Sequence, residues 1–283
     1  MALHERILLA TDLSARSDRA LDRAVMLAAR EGAELVVLHV VEPVAGSRFY
    51  PRTQPLPVLA GLVRQQLVHD LGDRVAKADI RVEEGEPAEV IERVARELHA
   101  TIVVVGVARV ERLGRFVLGT TVERLVRLIE APLLIVTDRP RRPYEHIAVA
   151  VDFSPAAMHA VQLVTSELPG KRITAIHAYR AVTYASPEPK LAAAQWKQVA
   201  AASFEEWIAS GKLSLEDRAR VVPRFEHGDP ARSIREAAAH GGFDLVVIGT
   251  RGRGRISEFF MGSVAKEILA ELPCDALLVR EAK

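Results

Sequence analysis

The 283-residue chain repeats itself, and that constrains its fold more than any other feature. Ile7-Leu-Leu-Ala-Thr-Asp12-Leu-Ser14 returns as Ile147-Ala-Val-Ala-Val-Asp152-Phe-Ser154. Val36-Val-Leu-His39 returns in the segment Ile173 to His177. Gly85-Glu-Pro87 returns as Gly228-Asp-Pro230, and Ile102-Val-Val-Val-Gly106 as Leu245-Val-Val-Ile-Gly249. Ala131-Pro132-Leu-Leu-Ile-Val returns near Leu272-Pro273-Cys-Asp-Ala-Leu-Leu-Val279. The order is kept, and the displacement runs from 138 residues (His39 to His177) to 143 (Gly85 to Gly228). Matches in register along the whole chain imply a duplication. We expect a first domain over 1–138, a linker over 139–144 carrying Arg139-Pro-Arg-Arg-Pro143, and a second domain over 145–283.

Each half alternates short apolar runs with helical periodicity. Residues 35–41, 102–106 and 133–137 are apolar nearly throughout. Continuous apolarity over strand length predicts strands covered on both faces, hence a parallel sheet with helices on each side. The expected fold class is α/β, with two tandem doubly wound, Rossmann-like domains. Ser14 and Ser17 are candidate N-caps for the first helix, whose stripe is Leu21, Val25 and Ala28 and whose end is Gly32. In the second half Ser154-Pro155 supplies an N-cap followed by proline at the first helical position. A helix over roughly 188–210 places Trp196, Phe204 and Trp207 on one face, which predicts core packing. The matching segment Phe49 to Pro57 carries Pro51, Thr53, Pro55 and Pro57, which disfavour helix and suggest a flap over the first site.

Open parallel sheets bind ligands beyond the carboxyl ends of their strands, where the strand order reverses. Asp12 and Asp152 follow the first strand of each half, and Gly106 and Gly249 end the fourth. In the second half a glycine-rich loop follows: two residues separate Gly249 from Gly252, and nine separate Gly252 from Gly262-Ser263. Glycines let backbone N–H groups approach a polyphosphate, and the helix opening at Ser263 offers it unpaired N–H groups and a favourable dipole. Asp152 can accept from ribose hydroxyls or help hold a metal ion.

The pattern G-x2-G-x9-G-[S/T], with the Asp-x-Ser after the first strand and the final Pro-x-x-x-Leu-x-Val strand, resembles the universal stress protein family across both halves. The resemblance implies a five-stranded parallel sheet in each domain. It also implies pairing of the domains' last strands, as an intramolecular pseudo-dimer or in a homodimer. Its implied ligand is an adenine nucleotide, ATP with Mg²⁺. The site it implies comprises Val151, Asp152, Ala178 beside the adenine, Ile248, Gly249, Gly252, Arg253, Gly262, Ser263 and Val264. The first half departs from the pattern. Asp12, Gly106, Gly119 and Thr120 keep their places, but Arg109 replaces the middle glycine. That arginine either obstructs the site or binds phosphate through its guanidinium. Thr120 with Glu123 also reads as a capping box, a structural reason for Thr120 without any ligand.

Other function classes are less well supported. Lys plus Arg totals 38 against 37 for Asp plus Glu, so no dominant electrostatic footprint for nucleic acid is present. The run Arg251-Gly-Arg-Gly-Arg255 is short, lacks interleaved aromatics and lies inside the phosphate motif. No apolar run approaches the ~20 residues of a membrane helix. With Cys274 as the one cysteine no intrachain disulfide forms, and without a signal-peptide pattern at the start the expected setting is cytoplasmic. His39 and His177 occupy equivalent strand positions but have no second histidine at metal-ligand spacing, so they read as structural. There is no Walker A lysine motif and no kinase catalytic loop. The function expected is an ATP-binding stress-response module with its site in the second domain. A slow ATPase or phosphotransferase, and a nucleotide-free protein-interaction scaffold, are the alternatives.

Overall fold

In strand β1 (Arg6–Thr11), Ile7, Leu8 and Leu9 are consecutive and all fully buried. Neighbouring side chains on a strand point to opposite faces, so both faces of this strand are covered. The same holds for Ile102 to Val105 and for Ile147 to Val149. The computed structural model describes residues 5–14, 17–42, 55–72, 77–110, 115–117, 119–180, 189–250, 263–270 and 272–280. The chain divides into two compact units, Met1–Arg109 with Val117–Pro143, and Val110–Phe116 with Tyr144–Lys283.

The first unit runs β1, α1 (Asp18–Glu31), β2 (Glu34–Val41), α2 (Leu56–Leu71), β3 (Asp79–Glu84), α3 (Pro87–Glu97) and β4 (Ile102–Gly106). Two three-residue strands, β5 (Ala108–Val110) and β6 (Arg115–Val117), come next in the chain as a separate two-stranded sheet, with Val110–Phe116 counted in the second unit; α4 (Thr120–Leu128) and β7 (Leu133–Val136) complete the first. Its strands lie in the order β3-β2-β1-β4-β7, all parallel. The second unit runs β8 (Ile147–Ala150), α5 (Pro155–Glu167), β9 (Ile173–Tyr179), α6 (Pro189–Ser210), α7 (Leu215–Arg220) and β10 (Val221–His227). It continues with α8 (Pro230–Gly241), β11 (Leu245–Gly249), α9 (Ser263–Ala270) and β12 (Asp275–Val279). Its order is β10-β9-β8-β11-β12, again parallel throughout.

Both orders reverse beside the first strand, between β1 and β4 and between β8 and β11. Right-handed crossovers then put α1 and α2 on one face and α3 and α4 on the other, with α5 and α6 opposed to α8 and α9 in the same way. This is the doubly wound α/β fold expected from the apolar runs.

The helix starts show where local signals sufficed. Ser154 caps α5, its Oγ accepting from Ala157 N–H at 3.2 Å, with Pro155 in the first turn. Glu86 and Asp229 cap α3 and α8 through their carboxylates, each followed by proline. The glycines before them have φ of 152° and 141°, and a Cβ on Gly85 would lie 2.6 Å from Val90 Cγ2.

Three expectations are corrected. Ser17 stands at the start of α1 but makes no side-chain cap, because its hydroxyl, like that of Ser14, is bound to Asp12 instead. The Thr120–Glu123 capping box is not formed: α4 begins at Thr120, its cap position is Gly119, and no side chain caps it. On α6, Phe204 is buried and Trp207 packs 5.9 Å from it, but Trp196 is 40% exposed. Of the segment expected as a flap, residues 49–54 lie outside the described residues; α2 starts at Leu56, with Pro57 in its first turn, where proline costs no hydrogen bond.

Tyr144 is buried in the second unit, its hydroxyl donating to Asp275 at 2.6 Å. Cys274 beside it is also buried. Among the described residues no helix is long and apolar enough to cross a membrane.

Candidate site at the strand-order switch

In the second unit Ala150 pairs with Ile248 across the switch between β8 and β11. The chain then leaves β8 through Val151 and Asp152, and β11 ends at Gly249. Val151 is buried, and its N–H extends the ladder by donating to Ile176 O at 2.9 Å. Its carbonyl lies 2.8 Å from His177 Nδ1. A carbonyl only accepts, so that nitrogen carries the proton. His39 makes the same contact with Thr11 O at 3.0 Å. Both histidines hold the exit of the first strand, the structural role expected of them.

Asp152 forms a tight turn. Phe153 has φ of 61°, and Ser154 N–H donates to Asp152 Oδ1 at 3.0 Å. A branched or aromatic residue at positive φ is strained, and here packing offsets the strain. The Phe153 ring stacks on His177 with centroids 4.1 Å apart and an angle of 25°, and Trp207 lies 5.8 Å away. Phe225 meets the edge of His177 at 6.4 Å. The turn is thereby wedged in an aromatic cluster while the Asp152 residue stays exposed beyond the end of β8.

Gly249 has a packing reason that the sequence did not reveal. A Cβ there would lie 2.9 Å from the Ala156 carbonyl carbon and 3.0 Å from both Ala156 O and Ala157 N. Backbone atoms cannot yield easily, so only glycine lets the first turn of α5 close over the end of β11. Ile248 is buried, Ala178 is half-buried on β9 opposite Glu226, and Val264 on α9 is 39% exposed. Ser263 opens α9, placing the helix N-terminus after the glycine-rich loop. Gly252, Arg253 and Gly262 lie outside the described residues, as does the Ser263 side chain.

In the first unit Ala10 pairs with Val105 across the equivalent switch, and Leu13 repeats the positive φ at 59°. The carboxylate there is differently engaged. Asp12 Oδ1 accepts from Ser14 N–H at 2.9 Å and from the hydroxyls of Ser14 and Ser17, each at 2.6 Å. Partial burial pushes the Asp12 carboxyl up, but the bonds from Ser14 and Ser17 outweigh it and hold the group below its ordinary value. Gly106 ends β4 opposite Val136. Arg109 belongs to β5, its side chain outside the described residues. Gly119 is extended at φ −63°, ψ 155°, and a Cβ there would meet open space; Thr120 beside it is exposed.

The sequence reading missed Phe153 and Trp207 as supports of the Asp152 turn. Comparing Phe153 with its repeat partner Leu13 was the available signal. Among the described residues no group of three or more His, Cys, Asp or Glu is placed to hold a metal ion.

Comparison with known proteins places this architecture. The sequence model described as the universal stress protein family matches residues 4–137 and again 143–280. A Thermus aquaticus protein named as a universal stress protein in the QAH/OAS sulfhydrylase 3' region is 32% identical over 139 residues, covering 48% of this chain and 99% of that one. A universal stress protein of Mycolicibacterium smegmatis is 27% identical over 301 residues, covering 97% of this chain and 96% of its own. The crystal structure of a universal stress protein from Archaeoglobus fulgidus superposes with a TM-score of 0.66 at 17% identity, covering 98% and 99% of the two chains.

Proposed function

The chain belongs to the universal stress protein family, and from that premise we propose that it is an ATP-binding stress-response module whose nucleotide site lies in the second unit. The observation that carries this reading is the contrast between the two first-strand aspartates. The Asp152 carboxylate accepts a single hydrogen bond among the described residues, from a backbone N–H, whereas that of Asp12 is taken up by two hydroxyls and an amide. An exposed carboxylate with open acceptor sites at a strand-order switch suits the hydroxyls of a ribose or the water shell of Mg²⁺.

The other residues present fit the ligand. Val151 and Ala178 supply an apolar edge for a base, and the N-terminus of α9 supplies N–H donors for phosphate. The motif Gly249-x2-Gly252-x9-Gly262-Ser263 links them, with Arg253 within it. Mg²⁺, when bound with ATP, would neutralise phosphate charge, and Asp152 would be the carboxylate that orients its waters. The first unit, with Asp12 satisfied internally and Arg109 in place of the middle glycine, serves as a structural or regulatory partner.

Binding rather than turnover is the activity the residues support: the sequence carries no Walker A lysine motif and no kinase catalytic loop, and offers no general base beyond Asp152. The test is to purify the chain, denature it, and identify and quantify released nucleotide by mass spectrometry. About one ATP per chain is expected from a single working site. Two per chain would give the first unit a site as well. ADP would point to hydrolysis, and no nucleotide together with no binding of added Mg-ATP would favour the scaffold reading.

A further inference from the structure

The residue after Gly249 is Thr250. Its N–H donates to Val279 O at 2.9 Å, so the strand pairing of β11 continues one residue beyond the glycine. A side chain on Gly249 would press on α5. By the alternation of a strand, Thr250 therefore faces the other side of the sheet, where the crossovers put α8 and α9. The residue is only 7% exposed, and among the described residues its Oγ1 has no hydrogen-bond partner.

A buried hydroxyl without a partner has lost its water and gained nothing for it. The fold does not require the hydroxyl. In the first unit the repeat partner of Gly249-Thr250 is Gly106-Val107, and Val107 is buried to the same degree, at 6% exposure. Valine and threonine have nearly the same shape, so packing at this position is met by an apolar side chain. The hydroxyl is present in the half that keeps the complete glycine motif and absent from the half that lost it. It lies at the carboxyl end of the strand bordering the switch, on the face that carries α9, whose N-terminus opens at Ser263.

We propose that Thr250 is a ligand-contact residue of the second unit, its hydroxyl donating to a phosphate oxygen of the bound nucleotide. This rests on the nucleotide-site reading above and adds a specific donor to it. The ligand supplies the hydrogen bond that the described residues do not, and Val107 leaves the first unit without that donor.

The experiment compares the nucleotide-stripped full chain with Thr250→Val and Thr250→Ser. Each is titrated with Mg-ATP by calorimetry and unfolded in denaturant without nucleotide. Thr250→Val is expected to bind about tenfold more weakly, the effect of losing one charge-assisted hydrogen bond, while unfolding at no lower denaturant concentration than the parent. Thr250→Ser should keep affinity within about twofold. Equal affinity of parent and Thr250→Val would overturn the proposal and leave the site itself standing. So would a loss of stability in Thr250→Val without nucleotide, since it would show that the hydroxyl has a structural partner such as a buried water. If the parent does not bind Mg-ATP at all, the nucleotide site falls, and this contact with it.

Discussion

The turns after β1 and β8 share the sequence Asp-x-Ser and a left-handed middle residue, at φ 59° for Leu13 and 61° for Phe153. They nevertheless use their side chains differently. In the first unit both hydroxyls turn back onto Asp12, and α1 starts at Asp18 without a side-chain cap. In the second unit Ser154 caps α5, which starts directly at Pro155, and the counterpart of Ser17 is Ala157, which has no side-chain hydroxyl to give Asp152. One turn satisfies its carboxylate internally; the other, among the described residues, gives it a single backbone N–H. A duplicated fold can thus retain its backbone turn in both copies while two or three side chains decide which copy keeps open acceptor sites on its carboxylate.

The most severe way to break this contrast is Gly252→Val. In the proposed site the backbone at Gly252 approaches phosphate, so a β-branched side chain there should weaken ATP binding roughly 100-fold or more, with the fold unchanged by circular dichroism. Unchanged affinity would put the site elsewhere. Next comes Gly249→Ala, whose Cβ meets the backbone of Ala156 and Ala157. It should destabilise the chain by about 1–3 kcal/mol in denaturant unfolding. Gly119→Ala in the first unit, where a Cβ meets open space, should stay within about 0.5 kcal/mol. Equal effects would dissolve the packing argument for Gly249.

A subtler test converts one turn toward the other. Ala157→Ser restores to Asp152 the hydroxyl that Ser17 gives Asp12. Competition for the carboxylate should lower ATP affinity about fivefold, the ~1 kcal/mol of one hydrogen bond. A calorimetric titration that shows no change would separate Asp152 from the ligand.

The smallest effect concerns Asp12 alone. Its folded-state pKa lies below the ordinary 3.8. A depressed carboxylate contributes stability that is full above the unfolded pKa, near 4, and is lost as pH falls through the folded value. Ser17→Ala should therefore cost under about 1 kcal/mol at pH 7, and its difference from the parent should shrink below about pH 4. A difference that stays constant between pH 7 and pH 3 would mean that Ser17 acts through packing rather than through the carboxylate.

Much of the fold was legible because its signals are local or repeat in register. The apolar runs around Ile7, Ile102 and Leu245 mark strands covered on both faces, and proline after Ser154, Glu86 and Asp229 marks helix starts. The failures share a cause. Ser17 and Thr120 look like caps from their neighbours in sequence, but a hydroxyl takes whichever partner is nearest in space, or none. Trp196 has the helical spacing of a core residue, yet spacing fixes only the face of α6, not how far along its length that face remains covered.

The sequence by itself determined the duplication, the alternation of strand and helix, and the placement of both aspartates and the glycine motif at strand ends. Each of these is a matter of periodicity or of which residues follow one another. Tertiary structure alone decided that Gly249 is needed to let α5 approach, that Phe153 is wedged against His177 and Trp207, and that among the described residues the buried Thr250 hydroxyl has no partner. Those outcomes depend on close approach between segments far apart in the chain, nearly a hundred residues in the case of Gly249 and Ala156. Close packing and hydrogen bonding act over a few ångströms in space, and sequence order does not record that distance.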